Sequence, residues 1–92
     1  MSERAKKYRS AFDALAESPD EALNLKLRAR LMHEIRDRVS ANNWTQAETA
    51  KHLCVSQPRV SDLLNGKISR FSLDSLVNML AALGGDIHLE VA

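Results

Sequence analysis

Four side chains near the middle of the chain have the hydrogen-bonding capacity to recognise a flat polar edge. Gln57, Arg59, Ser61 and Asn65 stand close together, interleaved with Val60, Leu63 and Leu64. A glutamine amide donates and accepts at once, so it can pair with N6 and N7 of adenine, and an arginine fork can pair with O6 and N7 of guanine. On one short amphipathic helix the polar residues face outward and the apolar ones inward. Ser56 is a natural cap for that helix, and Pro58 is tolerated in a first turn, where the lost N–H has no intrahelical partner. Asn65-Gly66 supplies a left-handed stop. The chemistry this points to is base readout in the major groove of DNA, which admits one helix and meets its N-terminal residues. Asp62 is the one acid in the segment. It either orients Arg59 from three residues away or accepts from a cytosine N4.

A reading helix must be held by others. Thr45-Gln46-Ala47-Glu48 has the pattern of a capping box and predicts a short helix running to Leu53. Cys54-Val55 is then the turn between the two helices. Thr49, Leu53, Val55, Val60 and Leu63 fall on the inner faces, and Ala50 lies where a close crossing needs a small side chain. Gln46, with the backbone amides at its helix N-terminus, is placed for a phosphate, and so is Lys67.

Two short helices cannot bury enough surface alone, so two more are required. Ser18-Pro19-Asp20-Glu21 opens a long helix that ends near Asn42-Asn43, with Leu23, Leu27, Leu31, Ile35 and Val39 at spacing four and Met32 beside them. After a loop from Lys67 to Arg70, Ser72 caps a last helix. Phe71 and Leu76 are spaced for a hydrophobic staple, and Leu73, Leu76, Val77, Leu80 and Leu83 form its stripe before Gly84-Gly85. The expected fold is all-α, with four to five helices and a domain spanning residues 18–92.

The two ends differ. Asp86 to Val91 alternates polar and apolar residues, which predicts a strand. A lone strand needs a pairing partner, and the economical one is the same strand of a second copy, antiparallel about a two-fold axis. Ile87, Leu89 and Val91 are then dimer-interface residues. The alternatives are packing on the last helix without pairing, or pairing near the N-terminus. Residues 1–17 form an arm with Tyr8, Phe12, Leu15 and Ala16 on one helical face. The arm is either frayed or an amphipathic segment that orders on a partner.

Residues 45–67, TQAETAKHLCVSQPRVSDLLNGK, resemble the helix-turn-helix of the phage repressor/Cro (XRE) family. Over about residues 19–91, the strings SQPRVSDL and GK-x-x-x-FSLD-x-LV resemble the HigA-type antitoxin subgroup of that family. The resemblance implies a repressor that binds a palindromic operator as a dimer, with Gln46, Ser56, Gln57, Arg59, Ser61 and Lys67 facing DNA. It also implies a partner toxin, for which Tyr8, Phe12 and Leu15 are the candidate contact. The position of Cys54 is usually Gly in the family, because its backbone tends to be left-handed. A non-Gly residue there costs about 1 kcal/mol.

Other chemistry is weakly supported. His33, His52 and His88 have no metal-site spacing, one cysteine cannot build a zinc cluster, and there is no glycine-rich phosphate loop. An enzyme, a cofactor and a metal are therefore not expected. No apolar run approaches membrane-spanning length, and the charged start lacks a signal-peptide pattern, so the expected location is the cytoplasm. Net charge is only +1, which does not advertise a nucleic-acid binder. The charge is uneven, however. Lys51, Arg59, Lys67 and Arg70 outnumber Glu48 and Asp62 between residues 45 and 70, whereas residues 71–92 carry three acids and no Lys or Arg. Two functions remain in competition: a DNA-binding repressor, with or without a toxin, and a protein-interaction module on a helix-turn-helix scaffold that does not read DNA.

Overall fold

The computed structural model describes residues 18–92. Each of its helices starts at a hydroxyl cap. Helix α1, Pro19–Asn42, is capped by Ser18, whose Oγ accepts from the Glu21 N–H at 3.3 Å. It stops at Asn43, where φ is 55° and the backbone N–H turns back to the Ser40 carbonyl. Helix α2, Gln46–Leu53, has the expected capping box: the Thr45 N–H donates to Glu48 Oε1 at 2.9 Å, and the Glu48 N–H to Thr45 Oγ1 at 3.1 Å. Ser56 caps α3, Gln57–Leu64, and Ser72 caps α4, Leu73–Ala82. A 3-10 turn, Ile68–Arg70, occupies the expected loop.

The core is a single cluster. Met32, Ile35 and Val39 of α1 meet Leu53, Leu63, Phe71 and the α4 residues Leu76, Met79 and Leu80. Helix α1 packs chiefly on α4, and α2 chiefly on α3. The α2–α3 pair is thus carried on a two-helix platform, as two helices of eight residues each require.

Three expectations need correction. First, Leu23 and Leu27 are exposed rather than part of the α1 stripe. A helix turns by 100° per residue, so residues spaced by four drift by about 40° at each step, and Leu23 ends up roughly 160° from Val39. Second, Val77 of α4 is exposed and Met79 is buried in its place. Third, the C-terminal strand is not formed, and the described residues contain no strand. A strand exists through its ladder bonds, and the described residues of one chain offer this segment no edge to pair with. After Gly84, at φ 75°, the tail instead runs along the groove between α1 and α4. There Ile87 and Leu89 help Leu27, Leu31, Leu73 and Val77 line a cavity of about 640 Å³. Tyr8, Phe12 and Leu15 lie outside the described residues. No helix among the described residues is long and apolar enough to cross a membrane.

Candidate nucleic-acid interface

The crossing of α2 and α3 follows from small and β-branched residues. Ala50 and Val60 are buried at it, with Leu53 and Leu63 beneath. Thr49 is also buried, and its hydroxyl donates to the Thr45 carbonyl at 2.8 Å, so no polar atom is left unmatched. The turn depends on Cys54, whose φ of 59° and ψ of 42° are left-handed. This brings the Val55 N–H to the Ala50 carbonyl at 3.0 Å and aims the chain into α3.

The outward surface carries the residues singled out in the sequence. Gln46, Ser56, Gln57, Pro58, Asn65 and Lys67 are exposed, and Arg59, Ser61 and Asp62 are half-buried. Gln57, Ser61 and Asn65 follow at spacing four, and Asn65 Nδ2 donates toward Ser61 Oγ at 3.4 Å. Gln46 and the first turn of α2 form a separate outward corner.

The charged residues of α3 behave differently from the neutral ones. The Arg59 guanidinium lies 4.1 Å above the centre of the buried Phe71 ring and donates through Nη1 to the Arg70 carbonyl. A cation over an aromatic face is worth about 0.5–2 kcal/mol, depending on how far it is desolvated. Asp62 does not face Arg59. It accepts from Arg70 Nη1 at 3.2 Å and lies 3.8 Å from Lys67 Nζ. The surface also holds Glu48, whose carboxyl is held below the usual glutamate range, first by the Thr45 backbone N–H and then by the Thr45 hydroxyl.

Several contacts around the site had no signal in the sequence. Arg28 of α1 donates through Nη1 to the carbonyls of Ile68 and Phe71, at 3.2 and 3.3 Å, and so ties the platform to the segment after α3. Those partners lie 40 and 43 residues away, beyond any local pattern. Trp44 stacks on His52 with ring centres 3.8 Å apart and planes within 9°. Arg70, which pairs with Asp62, was legible only as one of four basic residues in the segment.

The profile of a helix-turn-helix domain family matches residues 14–92. Among solved structures, an XRE-family transcriptional regulator is similar, with 31% sequence identity and a TM-score of 0.72. The match covers 80% of this chain and 82% of that one. No curated protein matches the chain. The profile takes in α1 to α4 as well as the turn at Cys54, and the solved structure shares the same arrangement over most of both chains. The chain therefore belongs to the helix-turn-helix domain family, and its fold is of the XRE type.

Proposed function

We propose that the protein is a sequence-specific DNA-binding transcription regulator that lays α3 in the major groove. The observation that carries this is the line of Gln57 and Ser61 on α3 with Asn65 at its C-cap, on the outward side while the opposite face is locked into the core. Residues at the N-terminal end of such a helix meet base edges, and contacts from neighbouring elements fix its register on phosphates. Gln46 at the start of α2 and Lys67 after α3 fill that second role. Similarity to an XRE-family transcriptional regulator supports the same reading.

The finer reading is a cytoplasmic repressor and HigA-type antitoxin. It rests on the SQPRVSDL and GK-x-x-x-FSLD-x-LV strings. In this reading residues 18–92 are the DNA-binding unit, which acts as a homodimer on a palindromic operator. Tyr8, Phe12 and Leu15 of the arm contact a toxin encoded next to it.

The test is titration of the full chain against DNA from upstream of its own gene over a salt series, with Gln57→Ala beside it. Binding is expected to be well above that to random DNA, to weaken with salt, and to fall about 10-fold in the variant. Binding no tighter than to random DNA would overturn the reading and leave an interaction module in its place, a role that the net charge of +1 suits. Co-expression with the neighbouring gene's product tests the antitoxin role. The expected outcome is a complex that chains lacking residues 1–17 no longer form.

A further inference from the structure

The charged side chains of α3 are engaged by other parts of the fold, whereas the neutral ones on its outward side and at its C-cap bond only to one another, Asn65 Nδ2 to Ser61 Oγ, and this bears on which bases they can read. Both charged side chains of this helix are bound within the protein. The Arg59 guanidinium rests on Phe71 and bonds the Arg70 carbonyl, and Asp62 pairs with Arg70 and Lys67. What remains outward is neutral: Gln57, Pro58, Ser61 and Asn65. Gln57, Ser61 and Asn65 follow at spacing four, so the row is about 12 Å long and can meet roughly three base pairs.

The edges of the bases then decide what such a row selects. In the major groove adenine offers one acceptor, N7, and one donor, N6. A carboxamide offers one of each and pairs bidentately. Guanine offers two acceptors, N7 and O6, which suit the guanidinium fork. An Arg59 fork turned to guanine would have to leave both the Phe71 ring and the Arg70 carbonyl.

We infer that the neutral amides of Gln57 and Asn65 carry base readout and specify adenine in each half-site, while Arg59 is a positioning residue that pins α3 against Phe71. This rests on the DNA-reading function proposed above. Arg59 acts through Gln57: its backbone N–H donates to Ser56 Oγ at 3.3 Å in the turn that presents Gln57, and its side chain fixes that turn to the segment that leads into α4.

The experiment is selection of binding sites from a random duplex library by the full chain, followed by affinities for every single-base change in the selected half-site. Wild type, Gln57→Ala and Arg59→Lys are compared, each checked for a cooperative thermal melt. The expected result is an adenine preferred about 10-fold at one position or more in wild type. Gln57→Ala should reduce that preference to less than about 2-fold at one position. Arg59→Lys keeps a cation over Phe71 and should leave the base preferences of wild type unchanged at every position. A readout on the DNA side does not depend on how a variant folds. Replacing the preferred adenine by 7-deazaadenine removes the N7 acceptor and should weaken wild-type binding about 5-fold or more. 7-Deazaguanine at any guanine should change nothing. A guanine preference that vanishes in folded Arg59→Lys, or that 7-deazaguanine abolishes in wild type, overturns the assignment and leaves the DNA-reading function standing. Wild-type binding with no base preference overturns both.

Discussion

Cys54 shows how much one residue can carry. Its φ of 59° lies in the region that disfavours any side chain with a Cβ, yet the turn between α2 and α3 requires that conformation. Asn43 adopts a similar φ of 55° at the end of α1, but asparagine tolerates it better. Replacing Cys54 with Gly removes the clash and adds freedom to the unfolded chain, two effects of opposite sign. The net expectation for Cys54→Gly is a gain of about 0.5–1 kcal/mol, read as a higher urea midpoint with an unchanged slope. A midpoint at or below that of wild type would show that the strain at Cys54 does not exceed the freedom Gly adds to the unfolded chain. The left-handed position was legible only through the resemblance to the family, in which this turn position is usually Gly. The direction of the Arg59 side chain was not. Its outward position beside Gln57 was consistent with guanine contact, but Phe71 and the Arg70 carbonyl, which hold it, come from the segment between α3 and α4, which α1 holds through Arg28.

Helix starts were legible for the same local reason. Ser18, Thr45, Ser56 and Ser72 each accept from an N–H three residues on, so each cap is complete within its own turn. The buried stripe of α1 was legible only in its second half. A run of leucines at spacing four looks like one face but winds off it, and only the partner helix determines where it leaves the core. The cap of α2 also has a pH dependence. The Glu48 carboxyl is held below its ordinary value in the folded chain by the Thr45 N–H and hydroxyl. Its contribution is therefore complete above the unfolded value and is lost as pH falls through the folded one. Between about pH 5 and pH 3, Tm of wild type should fall more steeply than that of Glu48→Gln, whose amide oxygen still accepts from Thr45 but does not titrate. Parallel Tm curves for the two proteins over that range would exclude the effect.

For the whole molecule, exposed apolar surface gathers at the tail and on the two helices of the platform. Leu89 and Val91 are 71% and 85% exposed, and Leu23, Leu27 and Val77 add apolar surface on α1 and α4. The alternation from Asp86 to Val91 was plain in the sequence, but a strand is a property of a pair, and the partner is not written in the segment itself. If a second copy supplies it, chains lacking residues 86–92 should sediment as monomers where the full chain sediments as a dimer. An unchanged mass on truncation would remove the tail from the dimer model. The platform of α1 and α4 should stay folded in either case, because its core closes at Leu80.

The stack of Trp44 on His52 has a consequence of a different kind. Trp44 is the sole tryptophan, so the tryptophan emission of the chain comes from one indole pressed against an imidazole. Trp44 lies just before the cap of α2 and His52 in its last turn, so the stack spans that helix. Separation of the rings would register as a change of signal, as would a phosphate docking at Gln46 two residues along. The protein thus has an optical probe of its own at the helix-turn-helix, and label-free fluorescence can follow both its unfolding and its titration with DNA.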